Sequence, residues 1–260
     1  MIWYVDGAYT DSNNVFIELN NPAGLFGYGV FTTLKVQFGK LYFLKEHLTR
    51  LSSSCEFYGI PFVEAEYMNI ISSLVKHNGV DSLRLRIIIR LKSVNTSQLV
   101  ITAEPLVLSD SPIKVMVAPT PRELCPLNQH KTTNYMLPVY FKNKATASGY
   151  DEMLFYNNKG DVLETCFANI FFIRNRHIYT PSSAANILPG IIRSKLLQQK
   201  EIIGYKIIEK QVLLSELSEY ENAFVTNSIH HLKTIACIDE FQYKPINQEL
   251  LINLKSVLES

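Results

Sequence analysis

Lys131 is the first residue able to do chemistry, in NQHKTTNYM (128–136), where it follows a proline-containing loop among hydroxyls and amides. A lysine amine acts as a nucleophile only when desolvation or a neighbouring cation strips its proton, because its ordinary pKa is about 10.4. Neighbouring His130 and a half-buried loop would help; a solvated surface lysine is the plain alternative. In GDVLETCFANIFFI (160–173), Glu164 closes a short strand before a strongly apolar one. A carboxylate there can hold a positive charge in a dry site, although an exposed turn glutamate has the same pattern.

In ILPGIIRSKLL (187–197), Pro189 and Gly190 precede an amphipathic helix. The N–H groups of Gly190, Ile191 and Ile192 would point outward with the positive end of its dipole, making either an anion site or an ordinary helix start. AFVTNSIHHL (223–232) ends a strand in Thr226, Asn227 and Ser228, small polar residues suited to lining a ligand. His230 and His231 would point to opposite strand faces, and neither HExxH nor a Cys/His spacing occurs, so no metal is assigned. FGYGVFTTLKV (26–36) sets two glycines before a strand bearing Thr32 and Thr33, either for close ligand approach or for a bend. Arg50, in EHLTRL (46–51), grips a phosphate or pairs with Glu46 one turn away.

The elements that must position these groups follow from periodicity. IWYV (2–5), VFIEL (15–19) and VFTTLKV (30–36) alternate with period two, and a Gly39-Lys40 turn joins the last to LYFL (41–44). Leu44, Leu48, Leu51, Cys55 and Tyr58 form a helical stripe ended by Gly59 and Pro61. A second helix, from Tyr67 to Val75, stops at Asn78-Gly79 before strands at 83–91 and 99–106. PLVLSDSP (105–112) reads as linker sequence, which divides the chain into 1–107, a linker at 108–120 and 121–260. Beyond it, strands are expected at 113–118, 153–156, 169–173, 177–180, 206–209, 222–226 and 233–238, with helices near 136–148, 190–203 and 247–258. The order is not strictly βαβα, and no GxGxxG or GxxxxGK[ST] follows a strand, which argues against dinucleotide and P-loop chemistry.

Composition agrees with a small-molecule partner. With 47% hydrophobic and 19% charged residues the 260-residue chain is globular, and its net charge of +1 provides no field for nucleic acid or an anionic membrane. Cys55, Cys125, Cys166 and Cys237 are scattered without a CxxC pair and are expected to be reduced thiols. The N-terminal residues lack a basic segment followed by an apolar run, and LRLRIIIRL (83–91) is broken by arginines, so the expected location is cytoplasmic.

Taken in order, FGYGVFTTLKV, LKEHLTRL, HKTTN, LETCFANIFF, LPGIIR and VTNS resemble the class IV aminotransferase family, the fold-type-IV pyridoxal-phosphate enzymes. The resemblance implies an α+β (α/β) fold of two domains: a small N-terminal α/β sandwich and a larger, barrel-like C-terminal α/β domain that binds the cofactor. It implies pyridoxal 5'-phosphate in the cleft between them, and a homodimer. By the same resemblance Lys131 bonds the cofactor aldehyde and moves the substrate proton, and Glu164 pairs with the ring nitrogen. Arg50, Gly190, Ile191, Ile192, Asn227 and Ser228 hold its phosphate, and Phe26, Thr32 and Arg90 lie on the substrate side.

The Thr32-Thr33 pair, where the family's aminotransferases usually have a glutamate first, looks like the lyase branch, which converts 4-amino-4-deoxychorismate to 4-aminobenzoate and pyruvate in folate biosynthesis. There Thr33 would relay a proton. A transaminase of D-amino or branched-chain amino acids with 2-oxoglutarate is the alternative, since the glycine-rich loop usual after Arg90 is replaced by LKSVNTS. A catalytically silent cofactor-binding protein is a lesser one, against which the intact Lys131 and Glu164 argue.

Overall fold

A computed structural model describes residues 1–16 and 18–259, which separate into two compact units. The first comprises Met1–Leu108 and His130–Tyr135. Its strands are β1 (Ile2–Val5), β2 (Ala8–Asp11), β3 (Gly29–Gln37), β4 (Lys40–Leu41), β5 (Leu83–Ser93) and β6 (Thr96–Pro105), with helices α1 (Pro22–Phe26), α2 (Leu44–Phe57) and α3 (Tyr67–Asn78). The strands form an antiparallel sheet in the order β2-β1-β6-β5-β3-β4.

Alternation decides which face meets the helices. On β5, Leu83, Leu85, Ile87 and Ile89 are buried in one core with Leu51, Cys55, Ile71 and Leu74 of α2 and α3. Arg84, Arg86, Ile88 and Arg90 therefore project from the other face and stay half-buried. β3 divides likewise, with Val30, Leu34 and Val36 in the core. Gly79, at φ 63°, caps α3 as its sequence predicts. The strand expected at VFIEL is not formed: Val15, Phe16, Glu18 and Leu19 lie outside any strand, and Ile17 lies outside the described residues. Phe16 and Leu19 are 84% and 70% exposed, so the alternation there marks no buried face.

The second unit comprises Ser109–Gln129 and the chain from Met136 onward. Its strands are β7 (Ile113–Val117), β8 (Glu152–Tyr156), β9 (Val162–Thr165), β10 (Asn169–Arg174), β11 (His177–Thr180), β12 (Glu201–Ile202), β13 (Tyr205–Glu209), β14 (Asn222–Asn227), β15 (His231–Ile238) and β16 (Phe241–Gln242). They pair in the order β12-β13-β11-β10-β14-β15-β7-β8-β9, with β16 on β15. The sheet is mixed, because β7 runs parallel to both β8 and β15, and β11 to β13. Helices α4 (Met136–Ala147), α5 (Ile191–Gln199) and α6 (Gln248–Glu259) complete the unit. α5 stops short of the expected residue 203 because the chain turns back as the β12–β13 pair.

The division differs from the expected one in two respects. Residues 108–120 contain β7, paired on both sides, so they are not a linker. Lys131 belongs to the first unit rather than to 121–260, because its segment hydrogen-bonds to β3: Phe31 N–H donates to Lys131 O and Thr133 N–H to Gly29 O, each at 2.8 Å.

Candidate active site

In the first unit, the lysine segment lies along the glycine-flanked start of β3. A Cβ on Gly29 would come within 2.9 Å of the Arg90 Cβ and 3.0 Å of the Thr133 hydroxyl, so only glycine allows this approach. Gly27 takes the left-handed conformation, at φ 63°, and its carbonyl accepts the Thr133 hydroxyl. His130 anchors the other end: its Nδ1 is 3.0 Å from Ser54 Oγ, and its ring stacks on Phe57 at 4.1 Å. Burial lowers its pKa below the usual 6.5, which favours a neutral ring. The expectation that His130 assists the lysine amine is thus replaced by a part in holding the segment to α2.

The amine of Lys131 donates to the Tyr135 hydroxyl at 2.8 Å. It lies 4.3 Å from the Tyr135 ring centroid and 4.7 Å from that of Phe31. The two rings meet edge to face at 5.4 Å, and the Arg86 guanidinium covers Phe31 at 5.4 Å. Aromatic faces stabilise a nearby cation while excluding water. Thr33 shares the Phe31 face of β3, directly across from Arg86. Neither Tyr135 nor Arg86 was singled out by sequence. The arginine was legible in the alternation of LRLRIIIRL, since it falls out of phase with the leucines and isoleucines of the core.

Thr32 has a different part from the substrate contact expected of it. It is fully buried on the core face; its hydroxyl lies 2.6 Å from His47 Nδ1 and accepts from Arg50 Nη2 at 3.0 Å. The hydroxyl thus joins the Arg50 guanidinium to the His47 imidazole within the core. The signal was present in the sequence, because Thr32 shares parity with Val30, Leu34 and Val36. Arg50 is half-buried, and desolvation pulls its pKa down to about 10, partly opposed by Tyr135, so it stays cationic at neutral pH. Arg90 Nε donates to Gln98 Oε1 at 2.6 Å, and Gln98 Nε2 to Asp6 Oδ2 at 2.9 Å. Where a glycine-rich loop was missing from the sequence, β5 turns into β6 through Val94-Asn95. Phe26 ends α1 with 70% of its surface exposed.

In the second unit, Glu164 is 7% exposed on β9. Its Oε1 accepts from Arg122 Nη2 at 3.0 Å, and its Oε2 accepts from Asn169 Nδ2 at 3.2 Å and from the Leu188 amide at 3.1 Å. Asn169 also donates to Leu188 O at 2.9 Å. Carboxylate, amide and the loop before α5 thereby form one piece. Gly190 caps α5 without a side chain, and a Cβ there would strike Asn169 Oδ1. Arg193, 3% exposed, fixes the first turn by donating to Pro181 O at 2.7 Å and pairing with Glu209. The amides of Ile191 and Ile192 begin α5, where helix geometry provides no acceptor.

Thr226 stands across from Asn169 in the β10–β14 register, 2% exposed, and its hydroxyl has no partner among the described residues. A buried hydroxyl beside a helix start is suited to an anion. Asn227 turns inward on its own loop, with Oδ1 accepting from Ile229 N at 3.0 Å and His230 N at 2.9 Å, while Ser228 follows in the turn. Arg122 escaped the sequence reading altogether, since no local pattern links it to a residue 42 positions away.

The family profile described as amino-transferase class IV matches residues 29–238. Aminodeoxychorismate lyase of Bacillus subtilis is 24% identical over 257 residues, covering 92% of this chain and 87% of its own length. A protein of Methanocaldococcus jannaschii with a provisional branched-chain-amino-acid aminotransferase name is also 24% identical, over 251 residues, covering 91% and 87%. The structure of a hypothetical aminotransferase from Mycobacterium tuberculosis, in its alpha-ketoglutarate and PMP bound form, superposes with a TM-score of 0.88 at 17% identity, covering 99% of this chain and 99% of that one. With the profile spanning most of its length, the chain belongs to the class IV aminotransferase family.

Proposed function

We propose that this chain is a pyridoxal-phosphate enzyme that converts 4-amino-4-deoxychorismate to 4-aminobenzoate and pyruvate, a step in folate biosynthesis. The observation that carries the choice of reaction is the opposite facing of the two threonines. Thr32 is withdrawn into the core to hold Arg50, while Thr33 offers a hydroxyl on the face that also bears Phe31 and, through it, the Lys131 amine.

The residues suit the cofactor. The buried Thr226 hydroxyl lacks a protein partner among the described residues, Gly190 lets the start of α5 lie directly against Asn169, and Glu164 is a buried acid held by three donors. In this reading Lys131 bonds the cofactor aldehyde and Glu164 faces the ring nitrogen. Arg50, with the start of α5 at Gly190, Ile191 and Ile192 and the turn at Asn227 and Ser228, holds the phosphate. Bound pyridoxal phosphate supplies an electron sink for the charge left when a substrate proton departs. Lys131 would take the proton from the amine-bearing ring carbon of the substrate. The bond from the ring to the enolpyruvyl oxygen then breaks, Thr33 passes a proton to the departing group, and pyruvate leaves as the ring becomes aromatic. Arg86 and Arg90, on one face of β5, receive the substrate carboxylates.

A transaminase of branched-chain or D-amino acids with 2-oxoglutarate is the second reading, favoured by the M. jannaschii relative's name. In either case the working form is a cytoplasmic homodimer. The exposed Phe16, Leu19, Leu25 and Phe26 support an apolar interface between copies, and among the described residues no helix is long and apolar enough to cross a membrane.

The experiment offers purified protein 4-amino-4-deoxychorismate and follows 4-aminobenzoate and pyruvate, beside a panel of amino acids with 2-oxoglutarate. Aromatic product supports the lyase; transamination without it overturns that choice. The cofactor-loaded protein has a visible band that borohydride bleaches, and Lys131→Ala lacks it.

A further inference from the structure

We propose that Arg122 determines where the proton shared by Glu164 and the cofactor's ring nitrogen resides, keeping it on the ring. The inference rests on the pyridoxal-phosphate reading above and deepens it. Arg122 Nη2 lies 3.0 Å from Glu164 Oε1, and the two side chains are only 13% and 9% exposed. The guanidinium is fixed independently of the carboxylate. Its Cζ lies 5.0 Å from the centroid of buried Phe155, and the Arg122 backbone N–H donates to Tyr156 O at 2.7 Å. The pair is therefore a rigid, largely dry ion pair.

A buried acid facing a basic ring nitrogen has two arrangements of comparable energy: carboxylate with the proton on nitrogen, or neutral acid with an uncharged ring. A guanidinium in direct contact with the carboxylate favours the first, since protonating the acid would leave Arg122 as an uncompensated buried charge. The Asn169 and Leu188 N–H groups act in the same direction, because they donate to the ionised oxygen. Arg122 thus maintains the strength of the electron sink through Glu164. It is a positioning residue.

The test uses the full chain loaded with pyridoxal phosphate labelled with nitrogen-15 in the ring, the ring nitrogen being read by NMR and the cofactor by its visible spectrum. Wild type and Arg122→Lys are expected to show a protonated ring nitrogen. In Arg122→Met the resonance moves toward that of an uncharged ring and the visible band shifts with it. An Arg122→Met signal coincident with wild type overturns the inference. Should that variant fail to fold by circular dichroism, Phe155→Leu, which frees the guanidinium, is expected to shift the resonance in the same direction by a smaller amount, and no shift there is equally fatal. A wild-type protein that takes up no cofactor, seen as absence of borohydride trapping on Lys131, overturns the broader reading as well. A loaded wild type with an unresponsive Arg122→Met overturns this inference alone.

Discussion

The Lys131 amine donates to the hydroxyl of Tyr135, one helical turn's worth of sequence away, at 2.8 Å and lies over the same residue's ring at 4.3 Å. One side chain thus gives the amine both a hydrogen-bond acceptor and an aromatic wall. Tyr135→Phe keeps the wall and removes the acceptor. The expected outcome is a kcat lowered about tenfold or more, with borohydride trapping on Lys131 retained. Steady-state kinetics and mass spectrometry of the trapped protein check it; an unchanged kcat would mean that the hydroxyl serves only the resting lysine.

Thr32 links Arg50 to His47 from within the core. Thr32→Val preserves shape but deprives both of a hydrogen bond, at a cost of about 1–3 kcal/mol in stability. Cofactor affinity should fall as Arg50 loses its brace, and Thr32→Ser should restore both. Urea unfolding of the apo-protein and cofactor titration separate the effects. A substrate role for Thr32 would instead raise KM while leaving stability and cofactor affinity alone.

Gly190→Ala would drive a methyl group into Asn169 Oδ1, the side chain that also holds Glu164 and Leu188. The predicted cost is about 1–3 kcal/mol in stability, with a larger loss in cofactor affinity, because the start of α5 and the Glu164 clamp move together. Asn169→Ala in the same background should recover part of the stability but not the affinity. Thermal melts with and without pyridoxal phosphate test this.

His130 carries a pH dependence whose direction follows from its burial. Its folded-state pKa lies below the ordinary 6.5, so over that interval the unfolded chain binds more protons than the folded one. Stability from this group is complete above about pH 6.5 and declines as pH falls through the folded value. The difference in melting temperature between about pH 7.5 and about pH 5.5 should be smaller in His130→Gln than in wild type. Equal differences would show that other groups govern the acid side.

Much of this protein was determined by its sequence alone. Period-two runs predicted β1, β3 and β5, helical stripes ended by glycine predicted α2 and α3, and the ordered segments from FGYGVFTTLKV to VTNS identified the family. Such signals are local, because backbone periodicity and capping act over a few residues. The tertiary structure decided matters that depend on distant pairing. It carried Lys131 out of its expected domain onto β3, tied Thr32 to His47 and Arg50, and brought Arg122 to Glu164 across 42 positions. Strand register sets which side chains share a face, and register is a property of two segments at once. No single stretch of the chain contains it.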